Sequence, residues 1–310
     1  MTDVLDGAAA AFGLGTRLAA APVAGGLSND LWRLETERGV FAVKVMRVNA
    51  GTLGFRANIE AAHAVEARAL ARGIACPSPV LSVDGQCLAD VGGALVRVHQ
   101  WCEGWVPRPE EWQDEAGALL ARIHGATEPF DDALDDDPWD EAGWASLAGS
   151  PDVPAALADR LRRAAPSLAL LETATAAPGL VTAHAWSHGD LDPKNTLVVD
   201  GALIALDWDA AGPRPVLREA VSVALDWSTD VLGFRRVLTS YCRASGSTVV
   251  GDLWPFGGWV SALGGWLAHN ATARIDTDLG RREVAATCDR LLALQASLPA
   301  YRDALATAQR

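Results

Sequence analysis

Trp186-Ser-His-Gly-Asp-Leu-Asp-Pro-Lys-Asn195, then Thr196 to Val199, Asp200-Gly201, Ala202 to Leu206 and Asp207-Trp-Asp209, is the stretch that decides the fold. Asp-Gly between two short apolar runs is a strong hairpin signal, because both residues tolerate the positive φ of a tight turn. Gly189 and Pro193 keep the segment before it from forming a continuous helix, so a loop leads into the hairpin. A hairpin returns the chain to its starting end. Asn195 on the way in and Asp207 on the way out therefore converge, with Asp190 in the loop beside them.

Outward from this hairpin the chain changes character on its two sides. Upstream, Leu31 to Thr36 and Val40 to Met46 flank Glu37-Arg38-Gly39 and read as a second hairpin. A helical pattern over 55–72 sets Ile59, Ala62, Val65, Ala69 and Leu70 near one stripe, and Gly73 and Pro77 end it. Val80 to Val83 and Ala94 to Trp101 read as further strands. Beyond Trp101 the patterns are long and helical: Glu111 to His124, Val153 to Thr175, Arg218 to Trp227, and two more near the C-terminus.

The 310 residues are half hydrophobic and 21% charged, an ordinary globular composition. A formal net charge of -13 disfavours nucleic acid, since phosphate backbones need clustered cations. The five scattered cysteines form no Cys-x-x-Cys pair, and the N-terminus, with Asp3 and Asp6, is a poor signal peptide; both fit a reducing cytoplasm. The apolar stretch Leu253 to His269 is shorter than the roughly 20 residues a bilayer requires and is broken by glycines, so it reads as a buried helix.

Phosphoryl transfer needs a positioned base and metal ligands around an anionic transition state. His188, Asp190 and Asn195 have the spacing His-x-Asp-x-x-x-x-Asn of a loop that supplies them. With Ala205-Leu-Asp-Trp-Asp209, this run resembles the aminoglycoside phosphotransferase and choline kinase superfamily. The resemblance implies an α+β, protein-kinase-like bilobal fold. Its parts would be an N-terminal lobe (1–100) with an antiparallel sheet and one helix, and a larger, mainly helical lobe (101–310). It also implies Asp190 as catalytic base, Asn195 and Asp207 as Mg²⁺ ligands, and His188 as a buttress of the loop. Asp192 and Asp209 either support the metal site or are exposed, and Lys194 faces solvent.

The N-terminal half carries matching features. In Phe41-Ala-Val-Lys44, strand alternation puts Ala42 and Lys44 on one face and Phe41, Val43 and Val45 on the other. By resemblance, Lys44 would meet the α/β-phosphates of ATP or GTP and Ala42 would pack on the base. Gly25, Gly26, Ser28 and Asn29 would form the phosphate loop. Glu66, with Glu60 as competitor, would orient the lysine. The run Val96 to Trp101, including His99 and Trp101, would read the purine edge with its backbone.

The acceptor implied is a hydroxylated small molecule, cationic where acidic residues meet it: an aminoglycoside or another antibiotic, or else choline, an amino sugar or homoserine. Asp226, Asp230, Trp266, His269 and Asn270 on the late helices are candidate substrate residues. The acidic tract from Glu128 to Glu141 is either a cup for ammonium groups or a solvated surface. The expected state is a monomer or homodimer. A metal-dependent hydrolase built on His184 and His188 is the competing reading. Against a protein kinase, Trp-Asp follows Asp207 where Phe-Gly belongs.

Overall fold

Alternating apolar residues build the first sheet, and their alternation is visible in its burial. The computed structural model describes residues 2–23, 29–47 and 50–308. In chain order it has α1 (Thr2–Ala11), β1 (Arg17–Val23), β2 (Asn29–Thr36), β3 (Gly39–Met46), α2 (Phe55–Ala71), β4 (Pro79–Val80), β5 (Ala89–Val91) and β6 (Ala94–Gln100). The strands form an antiparallel sheet in the order β1-β2-β3-β6-β4, with β5 also on β6. Phe41, Val43 and Val45 are buried in a core with Leu34, Val96 and Val98, against Leu5, Ala8, Ala9 and Phe12 of α1 and the turn after it. Ala42 and Lys44 take the opposite face, as expected from the alternation.

The next elements are α3 (Gln113–His124), β7 (Phe130–Ala133), α4 (Glu141–Ser146), α5 (Ala155–Thr175), β8 (Val181–Ser187), β9 (Thr196–Val199) and β10 (Ala202–Ala205). They are followed by β11 (Gly212–Pro215), α6 (Val216–Asp226), α7 (Val231–Ser245), α8 (Gly257–Ala273) and α9 (Asp278–Thr307). The chain divides into two compact units. The first is 1–108 with 186–213, and the second is 109–185 with 214–310. The hairpin β9-β10 thus belongs to the same unit as the six-stranded sheet. Its turn residues Asp200 and Gly201 have φ of 50° and 77°, the positive pair that the Asp-Gly dipeptide calls for.

The second unit is organised by α3 packed along α7. Small residues permit the approach: a Cβ at Gly117 would lie 2.2 Å from the Val237 carbonyl oxygen. His124, at the end of α3, is buried, with Nδ1 2.9 Å from the Tyr241 hydroxyl and Nε2 2.8 Å from Glu219. It is a packing residue. Among the described residues three α-helices follow Trp227 where two were expected, and α8 is separated from α9 by the Thr277 cap, whose hydroxyl accepts from the Gly280 amide. Among the described residues no helix is long and apolar enough to cross a membrane.

An ion pair between the buried Arg218 and the half-buried Asp136 holds the acidic tract to this unit. Arg218 donates to both oxygens of Asp136, at 2.5 and 2.6 Å, and the Ala177 amide donates to the same carboxylate at 2.7 Å. The Arg218 hydrogen bonds, aided by that amide and opposed by burial, hold Asp136 below the usual carboxylate range. A depressed folded pKa gives stability that is full above the unfolded value and is lost as pH falls through the folded one. Asp136→Asn should therefore cost about 2 kcal/mol at neutral pH, less than a fully buried pair because solvent screens the half-buried carboxylate. In urea unfolding across pH, the gap between variant and parent should close below about pH 4. A gap of constant size across pH would show that the pair does not contribute in this way.

Candidate active site

Helix α2 buries Ile59, Ala62, Val65, Glu66 and Ala69. Four of these are apolar and one is a carboxylate on the same stripe, so Glu66 must find cations inside the protein. It finds two partners on β6: Arg97 donates to one oxygen at 2.7 Å, and His99 Nε2 lies 2.9 Å from the other. Burial alone would raise Glu66, but the contacts with His63, His99 and Arg97 outweigh it and hold the group far below the usual range. Glu60 is exposed, so of the two candidates Glu66 is the interior one.

Lys44 stands opposite Arg97 in the β3-β6 register. Its ammonium donates to Asp207 at 2.5 Å and to Asp209 at 2.8 Å. Arg97 donates to the other Asp209 oxygen and so connects that carboxylate to Glu66. Burial would lower Lys44, but the charges of Asp209 and Asp207 outweigh it and raise the ammonium above its ordinary value. For Asp209 burial is likewise outweighed, by Lys44 and Arg97, and the carboxyl is lowered. Glu66, expected to orient Lys44, is linked to it through this longer chain of charges by way of Arg97 and Asp209. Its physical reason is the guanidinium of Arg97, a planar fork able to bind two carboxylates at once.

The loop is held from inside by His188, which is fully buried. Its Nε2 lies 2.7 Å from the Leu206 carbonyl oxygen, and its Nδ1 accepts from the Asp190 amide at 3.2 Å. A carbonyl only accepts and an amide only donates, so the tautomer is set with the proton on Nε2. No lone pair remains for a metal, which removes the hydrolase alternative built on His188. The Asn195 amide donates to the Asp190 carboxylate at 2.7 Å and to its carbonyl at 3.0 Å. Burial pushes Asp190 above the usual carboxylate range; Lys194 pulls it back, while Asp192 and Asp207 push the same way as burial. Asp207 itself has φ 58°, a left-handed conformation that aspartate tolerates better than most residues and that turns its carboxylate toward Lys44. Lys194 is exposed and pairs with Asp192 at 2.6 Å.

Other expected residues fall differently. Gly25, Gly26 and Ser28 lie outside the described residues. Asn29 is described, and its side-chain oxygen accepts from the Arg47 amide at 3.0 Å, which fixes the ends of β2 and β3. The backbone amides of His99, Gln100 and Trp101 are engaged within the sheet. Trp101 N–H donates to the Val40 carbonyl, Gln100 N–H to Ser78, and the ladder's alternation commits His99 to Ala42. The first amides beyond the ladder belong to Cys102 and Glu103. Trp101 lies under the Arg33 guanidinium, 5.7 Å away, and its indole donates to Glu103.

Of the candidate substrate residues, three have structural work. Asp230 caps α7 by accepting from the Gly233 amide, Asp226 accepts from the Trp259 indole and from Arg290, and Asn270 is wholly buried. Trp266 donates to Glu283 and stacks on His269. A cleft inside the second unit is lined by Asp135, Asp136, Asp137, Glu172, Arg218 and Ser261, among others. Of the two residues that knit the site together, sequence reasoning left Asp209 open between a support of the metal site and an exposed residue, and missed Arg97. The available signal was a lone arginine in an otherwise apolar strand, Ala94-Leu-Val-Arg-Val98.

A strand lysine, a loop aspartate and asparagine, and a post-hairpin aspartate on this sheet define a protein-kinase-like fold. The family model described as the Phosphotransferase enzyme family matches residues 19–259, and the chain belongs to that family. Curated relatives include the homoserine kinase of Sinorhizobium fredii, 34% identical over 132 residues, covering 41% of this chain and 39% of the relative. That of Gluconacetobacter diazotrophicus is 29% identical over 215 residues, covering 65% and 64%. The chain thus spans less than two thirds of the length of these relatives. Among solved structures, spectinomycin phosphotransferase in complex with ADP and spectinomycin has a TM-score of 0.63 at 11% identity, covering 90% of this chain and 94% of that one. A choline/ethanolamine kinase family protein from Mesorhizobium loti has a TM-score of 0.57 at 15% identity, covering 94% and 92%.

Proposed function

We propose that this chain transfers the γ-phosphoryl group of ATP or GTP to a hydroxyl of a small molecule that also carries an amine. The observation that carries the reading is the convergence of Lys44 with Asp207 and Asp209, beside a loop that presents Asp190 and Asn195. Lys44 would hold triphosphate oxygens, and Asp190 would orient the acceptor hydroxyl and take its proton. Its upward displacement by burial suits a base that must accept a proton near neutral pH. Asp207 and Asn195 fit Mg²⁺, a hard cation that takes oxygen ligands. The Asn195 nitrogen is spent on Asp190, which leaves its carbonyl oxygen for a cation. When bound, Mg²⁺ would neutralise charge on the triphosphate. The purine edge falls to the Cys102–Glu103 backbone.

Among acceptors, a compact hydroxy amino acid of the homoserine type ranks ahead of an aminoglycoside. The sequence relatives named above are homoserine kinases, whereas the antibiotic kinases share the fold at low identity. The acidic lining of the second unit's cleft favours an ammonium-bearing molecule over an anionic one. Nucleotide consumption against a panel of homoserine, choline, amino sugars, aminoglycosides and amine-free polyols and sugars tests this, with the Asp190→Ala protein as blank. Turnover is expected with homoserine-type acceptors. Turnover confined to acceptors lacking an amine, or equal in the blank, would reject the reading.

A further inference from the structure

Arg97 is 1% exposed, in the middle of β6, and a guanidinium there has given up its hydration. It recovers that cost through two carboxylates that come from distant parts of the chain, Glu66 on α2 and Asp209 after the hairpin. Asp209 is in turn shared with Lys44. The order of charges is Glu66, Arg97, Asp209, Lys44, Asp207, alternating in sign throughout.

We propose that Arg97 is a positioning residue that couples α2 to the Asp207–Asp209 segment and, by sharing the charge of Asp209, leaves Lys44 available to a nucleotide phosphate. Without Arg97, the buried Asp209 carboxylate would have Lys44 as its remaining cation among these contacts. The ammonium would then be held by Asp209 in competition with any incoming phosphate. Lysine cannot replace Arg97 fully, because a single ammonium on a flexible stem does not reproduce a fork that binds two acids in fixed directions.

The test is the affinity of full-length protein for AMP-PNP with Mg²⁺, measured by calorimetry; it needs no acceptor, though it rests on the phosphotransferase reading. Arg97→Met should weaken binding by about tenfold or more, the scale of a lost charge-assisted hydrogen bond. Arg97→Lys should fall between that variant and the parent. Adding Asp209→Asn to Arg97→Met removes the competing charge and should return affinity to within about threefold of the parent, a residual set by lost packing. A residue that only supports the fold would give a double variant no tighter than the single one, and that result, or parent-like binding by Arg97→Met, overturns the proposal. Should Arg97→Met fail to fold, the same comparison is made with Arg97→Lys, where parent-like affinity is the overturning result.

Hydrogen exchange separates this proposal from the functional reading. Amides of α2 and of residues 207–210 should exchange faster together in the Arg97 variant. If the parent binds no nucleotide, the phosphotransferase reading fails while joint exchange still upholds the coupling. Exchange that changes in one segment alone refutes it.

Discussion

Asp190→Ala should lower turnover about a thousandfold, within the range that a positioned general base supplies, and leave nucleotide affinity nearly unchanged. The separation follows from where the charges sit. Lys44 is held by Asp207 and Asp209, and neither contact involves Asp190. The backbone of the loop is held by His188, which grips the Leu206 carbonyl and the Asp190 amide, neither of which the substitution removes. The change does release the Asn195 amide from one of its two bonds, that to the carboxylate, while the bond to the Asp190 carbonyl remains. Steady-state rates and nucleotide titration on the same preparation check both halves. Full activity in the variant would reject Asp190 as the base, and parallel loss of rate and nucleotide affinity would point to a disturbed loop.

Gly117→Val should be strongly damaging for stability, costing about 4 kcal/mol, toward the upper end for single changes. A Cβ at this position would meet the Val237 carbonyl oxygen at 2.2 Å, the Tyr241 amide nitrogen at 2.9 Å and Ser240 Cβ at 3.2 Å. Two of the three neighbours are α7 backbone, which cannot swing aside as a side chain would. Relief requires α3 and α7 to move apart, and that would strain the buried His124–Tyr241 and His124–Glu219 contacts as well. Gly117→Ala sharpens the test. On helix propensity alone alanine is favoured by about 1 kcal/mol, so a loss of stability on this change would show that packing prevails. Chemical denaturation midpoints decide it, and a stabilised alanine variant would refute the close approach.

What could be read from the sequence was local. The Asp200-Gly201 turn announces its hairpin through backbone preference alone, and the faces of Phe41 to Val45 follow from a period of two. The pattern Leu5, Ala8, Ala9, Phe12 also spells a helical face, yet its short alanine side chains make a faint signal, and α1 went unread. The contact of Asp190 with Asn195 was legible because their separation along the chain is itself the motif. Arg97 was not, since its meaning lies in partners 31 and 112 residues away. The same holds for Arg218 and Asp136, 82 residues apart, in a tract read as a cup or a solvated surface. Charges paired across such distances have no periodicity to betray them. Their local strings look like an arginine in a strand and an aspartate in a loop.

The first unit is assembled from two stretches, 1–108 and 186–213, with 77 residues between them. During synthesis the ribosome releases Glu66, Arg97 and Lys44 long before it delivers Asp207 and Asp209. Until then the nascent sheet carries two cations whose later counter-ions do not yet exist.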